Sequence, residues 1–228
     1  MEKKGLPQEG LKLIACITML LDHIGATLVP SLTLRIIGRI AFPIYCFLLA
    51  EGAHYTKSMP KYALRLALVM VLAELPFDYG LFGGFTLAYQ SVMVTLLLGL
   101  GALALMKKVE NPVAKLAVTA PFVVLAELLR TDYGGYGVMM AALFGIAREL
   151  PNGKPLMAAG LLVLCLTMNS AVLPVFGVRV PIEVFAMAAL VPIFLYSGRK
   201  ATRSKAIQWA FTLFYPVHLA VIALVRFL

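Results

Sequence analysis

The stretch Leu11 to Pro30, LKLIACITMLLDHIGATLVP, constrains the fold more than any other part of the chain. Roughly 20 helical residues cross a hydrocarbon core about 30 Å thick. Asp22 and His23 lie deep inside this run, where each ionisable side chain costs about 2.5–3.5 kcal/mol on insertion scales. They sit about 100° apart around a helix, so each needs its own partner from another segment. The remaining chain repeats the apolar pattern. With 61% hydrophobic residues, 14% charged and a mean hydropathy of +0.92, it describes an integral membrane protein whose principal solvent is the lipid bilayer.

Hydropathy places about nine spans, near 11–30, 33–55, 61–78, 86–106, 113–130, 135–150, 155–174, 180–197 and 207–228. Short Pro- and Gly-marked turns join them, which leaves residues 1–228 as a single all-α, polytopic bundle. The apolar run after MEKKGLPQEGLK holds Asp22 and His23 and lacks a small-x-small cleavage site, so it is expected to be a retained first span. With a cytoplasmic N-terminus, Lys3, Lys4, Lys12, Lys57, Lys61, Arg65, Lys107, Lys108, Lys115, Arg148, Lys154, Arg199, Lys200, Arg203 and Lys205 fall inside. These are 15 of the 20 cations, the others being Arg35, Arg39, Arg130, Arg179 and Arg226. The formal charge of +9 is therefore membrane anchoring, and nucleic acid is not an expected partner. Cys16, Cys46 and Cys165 lie in apolar runs without metal or disulfide spacing, and no metal site is expected.

The acids collect toward the opposite side: Asp22, Glu74, Asp78, Glu127, Asp132 and Glu183. Four belong to related phrases, Glu74-Leu-Pro-Phe-Asp78-Tyr79-Gly80 and Glu127-Leu-Leu-Arg-Thr-Asp132-Tyr133-Gly134. Acids at helix C-termini oppose the macrodipole, so their placement asks for a compensating role. The phrases read either as a weak internal repeat or as two helix stops with Gly as the cap.

His23 and His218 are both intramembrane, and ionisable groups there are functional candidates by default. His218 follows Pro216, which cannot complete the helix ladder; it serves either as a second polar wall or as a structural tie. Lys12 lies eleven residues before His23, about 16 Å along a helix and on nearly the same face. That separation suits coenzyme A, with phosphates at Lys12 and a thioester at His23; simple anchoring by Lys12 explains the same spacing. Arg39 must pair with one of the outer acids or reach the interface, and it could also steady developing negative charge. Gln90 and Ser91 offer uncharged hydrogen bonds, while no Walker loop, HExxH or GxSxG elbow is present.

Several segments are similar to one known family: Asp22-His23-Ile-Gly25, Gly38-Arg39-Ile-Ala-Phe-Pro43, Leu49-Ala-Glu51-Gly52, Glu74-Leu-Pro-Phe-Asp78, Gln90 with Thr95-Leu-Leu-Leu-Gly99, Asp132-Tyr133-Gly134 and Tyr215-Pro216-Val-His218. As an ordered set they resemble the TraX family of polytopic membrane acetyltransferases, whose namesake acetylates the N-terminus of conjugative pilin. Lys12-x10-His23 also resembles the Arg/Lys-x10-His motif of a wider membrane acyltransferase superfamily, in which that His is catalytic. Ser91 departs from the Asn expected after Gln90.

The resemblance implies an acetyl-CoA-dependent transferase in a bacterial-type cytoplasmic membrane. Its expected catalytic residues are His23, Asp22, Arg39 and His218, with His23 as general base or acetyl-carrying nucleophile. Lys12 and Arg39 would hold the coenzyme. Glu74, Asp78, Gln90, Asp132 and Tyr133 would bind a small-molecule, peptide or glycan acceptor through an amine or hydroxyl. The rival expectations are a proton-coupled secondary transporter using the same acids and histidines, and an assembly scaffold without catalysis.

Overall fold

The computed structural model describes residues 5–168, 170–175, 178–202 and 204–228; Lys3, Lys4 and Arg203 lie outside the described residues. Helix α1 spans Gln8–Thr27. The second expected span is two helices, α2 (Leu32–Gly38) and α3 (Ala41–Tyr55). Pro43 accounts for the break, because it offers no N–H and its ring crowds the carbonyl four residues earlier. At the break, Arg39 N turns to the Ile36 carbonyl at 3.2 Å, and Arg39 Nε takes the Arg35 carbonyl at 3.2 Å.

Helix α4 (Met59–Phe77) starts at a Ser58 cap with proline in its first turn and continues into a π-helical turn, Asp78–Phe82. Helices α5 (Val92–Met106), α6 (Pro112–Leu128), α7 (Gly134–Glu149) and α8 (Lys154–Thr167) follow. An antiparallel hairpin, β1 (Val172–Val175) and β2 (Val178–Pro181), leads to a 3₁₀ segment, Ile182–Ala189. Helices α9 (Leu190–Phe194) and α10 (Lys205–Arg226) complete the chain.

Several expected boundaries move. The fourth span begins at Val92 instead of 86, and the seventh ends at Thr167 instead of 174. The eighth, expected as a helix over 180–197, opens as a strand. Its alternating Val-Arg-Val pattern favours extended backbone, and Pro181 then closes the strand. In the 3₁₀ segment, three residues per turn set Glu183, Ala186 and Ala189 on one buried face. The two acidic phrases are not structural repeats. Asp78-Tyr79-Gly80 continues as a π turn that stops only at Gly83, with φ +79°, whereas Asp132-Tyr133-Gly134 forms a left-handed entry to α7.

Among the described residues, the regular structure outside the hairpin is helical. Gln8–Thr27, the broken Leu32–Tyr55 and Lys205–Arg226 are long and apolar enough to cross a membrane; nine crossings remain an expectation from hydropathy. Helix α1 packs on α2, α3 and α10, while α5, α6 and α7 pack on one another. Leu11, Ile44, Phe77, Leu100, Phe144, Leu161 and Leu219 fill the interior. Leu68, Val71 and Leu72 of α4, Leu116 and Val124 of α6, Val163 and Leu166 of α8, and Val217 and Val221 of α10 point outward. Such outward apolar faces suit helices solvated by lipid, as in a membrane protein.

The two ends differ in chemistry. At one end Arg148 pairs with Glu51, Lys115 with Glu149, and Lys107 donates to the Ala53 carbonyl. Lys12 belongs to this end through α1, and the opposite end holds Asp22, Arg39 and Asp132.

Candidate functional site

Asp22 and His23, adjacent on α1, do take separate partners. Asp22 accepts from Arg35 Nη1 at 2.7 Å and Arg39 Nη2 at 2.5 Å, and Arg39 Nη1 donates to Glu183 Oε1 at 2.8 Å. Arg35 and Arg39 stand one helical turn apart, so both reach the same carboxylate. Two cations and two anions balance, as a buried cluster requires. Gly38 makes the approach possible: a Cβ there would lie 2.2 Å from Asp22 Cβ. Arg39 spends three of its five N–H groups on these contacts, leaving two.

His23 Nδ1 lies 2.7 Å from His218 Nε2 of α10, the rings stacked with a 9° interplanar angle. His218 Nδ1 is 2.8 Å from the Phe214 carbonyl. Both histidines are buried.

His23 opens onto a cavity of about 110 Å³, shared with Asp22, Arg35, Arg39, Tyr45, Asp132, Tyr133 and Tyr215. Beyond it lies a larger vestibule of about 710 Å³ lined by Tyr89, Glu127, Arg130, Tyr136 and others. Arg39, Asp132 and Tyr133 line both, so these three side chains form the wall between vestibule and histidine. Tyr133 holds φ +63°, a left-handed conformation that costs a non-glycine residue about 1–3 kcal/mol, and its ring stacks on Phe42 at 3.8 Å between centroids. Asp132 is fixed by α5 and by its own turn: Thr95 of α5 donates to its carbonyl, and the Tyr133 N–H to its carboxylate at 3.1 Å. Burial in this connection between α6 and α7 pushes its carboxyl up to about 6, despite the opposing influence of the Arg39 charge.

Other expected site residues stand apart. The Glu74 carboxylate accepts from Ser91 Oγ at 2.9 Å, and Asp78 from the Thr86 N–H at 3.1 Å; neither lines the two cavities. Gln90 contributes backbone instead, exchanging bonds with Arg130 and Asp132 that tie the α4–α5 loop to the α6–α7 loop, while its side chain donates to Leu87. Glu127, at the vestibule, accepts from the Gly135 N–H at 2.7 Å, at the start of α7 where the macrodipole favours an anion. Lys12 Nζ donates to Gln208 Oε1 at 2.5 Å, and Arg65 and Lys200 lie within electrostatic reach of it. Sequence reasoning missed Arg35 as a partner of Asp22, although its spacing from Arg39 was the available signal. It gave no site role to Tyr45 or Tyr215, although Tyr215 stands in the quoted Tyr215-Pro216-Val-His218 segment; both line the smaller cavity.

The comparisons with known proteins bear on the whole array. Residues 7–226 match the family model described as TraX protein. The chain is 31% identical over 231 residues to "Probable fimbrial assembly protein FimC, serogroup H1" of Dichelobacter nodosus, across 93% of this chain and 92% of that protein. A shorter likeness, 58% over 41 residues, joins 18% of this chain to 16% of "Uncharacterized protein RP591" of Rickettsia prowazekii (strain Madrid E). No solved structure matches. The family match extends from before Lys12 to beyond His218 and so contains every residue of the two cavities: the chain belongs to the TraX family.

Proposed function

We propose that this chain is a multi-pass acetyltransferase of a bacterial-type cytoplasmic membrane, moving acetyl from cytoplasmic acetyl-CoA to an amine or hydroxyl acceptor that enters from the vestibule. The observation that carries this proposal is the small cavity in which His23 and Arg39 meet, walled from a larger one by Arg39, Asp132 and Tyr133. His23 would take the proton of the acceptor as its heteroatom attacks the thioester carbon; the new C–N or C–O bond forms, the C–S bond breaks, and His23 returns the proton to the departing thiolate. The two uncommitted N–H groups of Arg39 would steady the oxyanion. Lys12, with Arg65 and Lys200, would hold the donor phosphates about 16 Å away along α1. Asp132 would draw in an amine acceptor as its ammonium, which releases one proton to water before the neutral amine attacks. The fimbrial assembly named for the Dichelobacter relative supports a pilin-associated role.

The test is thiol release and acetyl transfer by the purified protein in detergent, using radiolabelled acetyl-CoA and a panel of amine and hydroxyl acceptors. Wild type is expected to turn over, and His23→Ala to lose at least about 100-fold while remaining monodisperse. Wild-type turnover by His23→Ala would remove the base, and substrate flux in proteoliposomes without transfer would favour a transporter.

A further inference from the structure

The role of His218 follows from hydrogen-bond directions. A carbonyl oxygen only accepts, so the 2.8 Å contact between Phe214 O and His218 Nδ1 places a proton on that nitrogen. A neutral His218 then presents a lone pair at Nε2. Across the 2.7 Å contact the donor must be His23 Nδ1–H, which leaves the lone pair of neutral His23 on Nε2. Free imidazole side chains favour the opposite tautomer, with the proton on Nε2. The chain Phe214 O, His218, His23 therefore reverses the default and frees the nitrogen farther from the backbone.

We propose that His218 is a positioning residue that acts through His23: it fixes the Nδ1–H tautomer, so that His23 Nε2 is the proton acceptor left to serve the 110 Å³ cavity that His23 lines. Asp22 does not serve as this orienter, because its carboxylate is engaged by Arg35 and Arg39. A neutral imidazole occupies the place where a carboxylate often stands behind a catalytic histidine. When His23 gains a proton, its Nδ1–H still has the His218 lone pair to donate to, and no proton needs to leave His218. The helix supplies the fixed end of the chain: Phe214 lies one turn before His218, so its carbonyl is held within reach of Nδ1 by α10 itself. Burial of both rings keeps water from competing for these nitrogens.

This inference rests on His23 being the base of the acetyl transfer proposed above. Its test reads the tautomer independently of turnover, by long-range proton–nitrogen NMR on protein labelled with ¹⁵N-histidine in detergent. His23→Ala and His218→Gln spectra assign the signals. Wild type is expected to show His23 protonated at Nδ1 and bare at Nε2. His218→Gln, whose amide oxygen can stand near the position of Nε2, is expected to keep that tautomer and stay within about 10-fold of wild-type kcat. His218→Phe keeps a flat ring but offers no acceptor; it should move the proton to Nε2 and lower kcat at least about 100-fold, the scale of lost general-base action. A wild-type spectrum with the proton on His23 Nε2 would overturn the inference even if transfer is fast. An Nδ1–H tautomer in a protein that transfers no acetyl group would instead uphold the positioning of His23 by His218 and defeat the acetyltransferase proposal. His218→Phe with wild-type tautomer and kcat would leave His218 a packing residue.

Discussion

Replacing Asp22 by Asn keeps the shape of the side chain and removes one charge from a balanced buried cluster. Asp22 faces Arg39 at 2.5 Å and Arg35 at 2.7 Å, and among the described residues Glu183 pairs with Arg39 alone. After the substitution, the two guanidinium groups keep one directly paired carboxylate, Glu183, while Asp132 acts on them only through space. Unit charges about 4 Å apart are worth about 4 kcal/mol at an effective dielectric near 20, and breaking a buried pair by removing one partner typically costs about 3–5 kcal/mol. The Arg35 side chain is 32% exposed, so water screens its share; Arg39, at 7%, carries most of the loss. The expected destabilisation is about 3 kcal/mol, measured by reversible unfolding in mixed micelles. Removing the surplus cation as well, in Asp22→Asn with Arg35→Gln, should recover about 1 kcal/mol, because the cluster again sums to zero. An Asp22→Asn protein within about 0.5 kcal/mol of wild type, or a double variant no more stable than the single, would refute the charge-balance account.

Three further outcomes are expected. Gly38→Ala puts a methyl group where Asp22 lies 2.2 Å away, and should destabilise by about 1–3 kcal/mol and lower transfer, as read by a thermal melt and a turnover assay on the same sample. Asp132 is ionised above about pH 6, so affinity for a cationic acceptor should fall as pH drops through that value; in Asp132→Asn the step should vanish, and a step that persists unchanged would assign it to another group. Lys12→Ala should raise the KM for acetyl-CoA while leaving kcat within a few-fold, whereas an unchanged KM would reduce Lys12 to its contact with Gln208.

Apolar run length and charge placement made the helical class, the membrane setting and most helix positions readable from the sequence. So was the separation of Asp22 from His23, because adjacent residues on a helix cannot face the same neighbour. The eighth span was less legible, since Val-rich apolar runs look alike whether they form strand, 3₁₀ or α-helix. The acids looked like one population because hydropathy gives depth but not azimuth.

Tertiary structure alone decided which of them share a cavity. Packing of the 3₁₀ segment beside α2 and α3 aims Glu183 at Arg39, and the crossing of α10 on α1 brings His218 to His23 across 195 positions of sequence. The sequence by itself determined which costly groups must be buried. Only the packing of distant helices decided their partners, because a side chain's depth is set by its own helix and its neighbours by every other one.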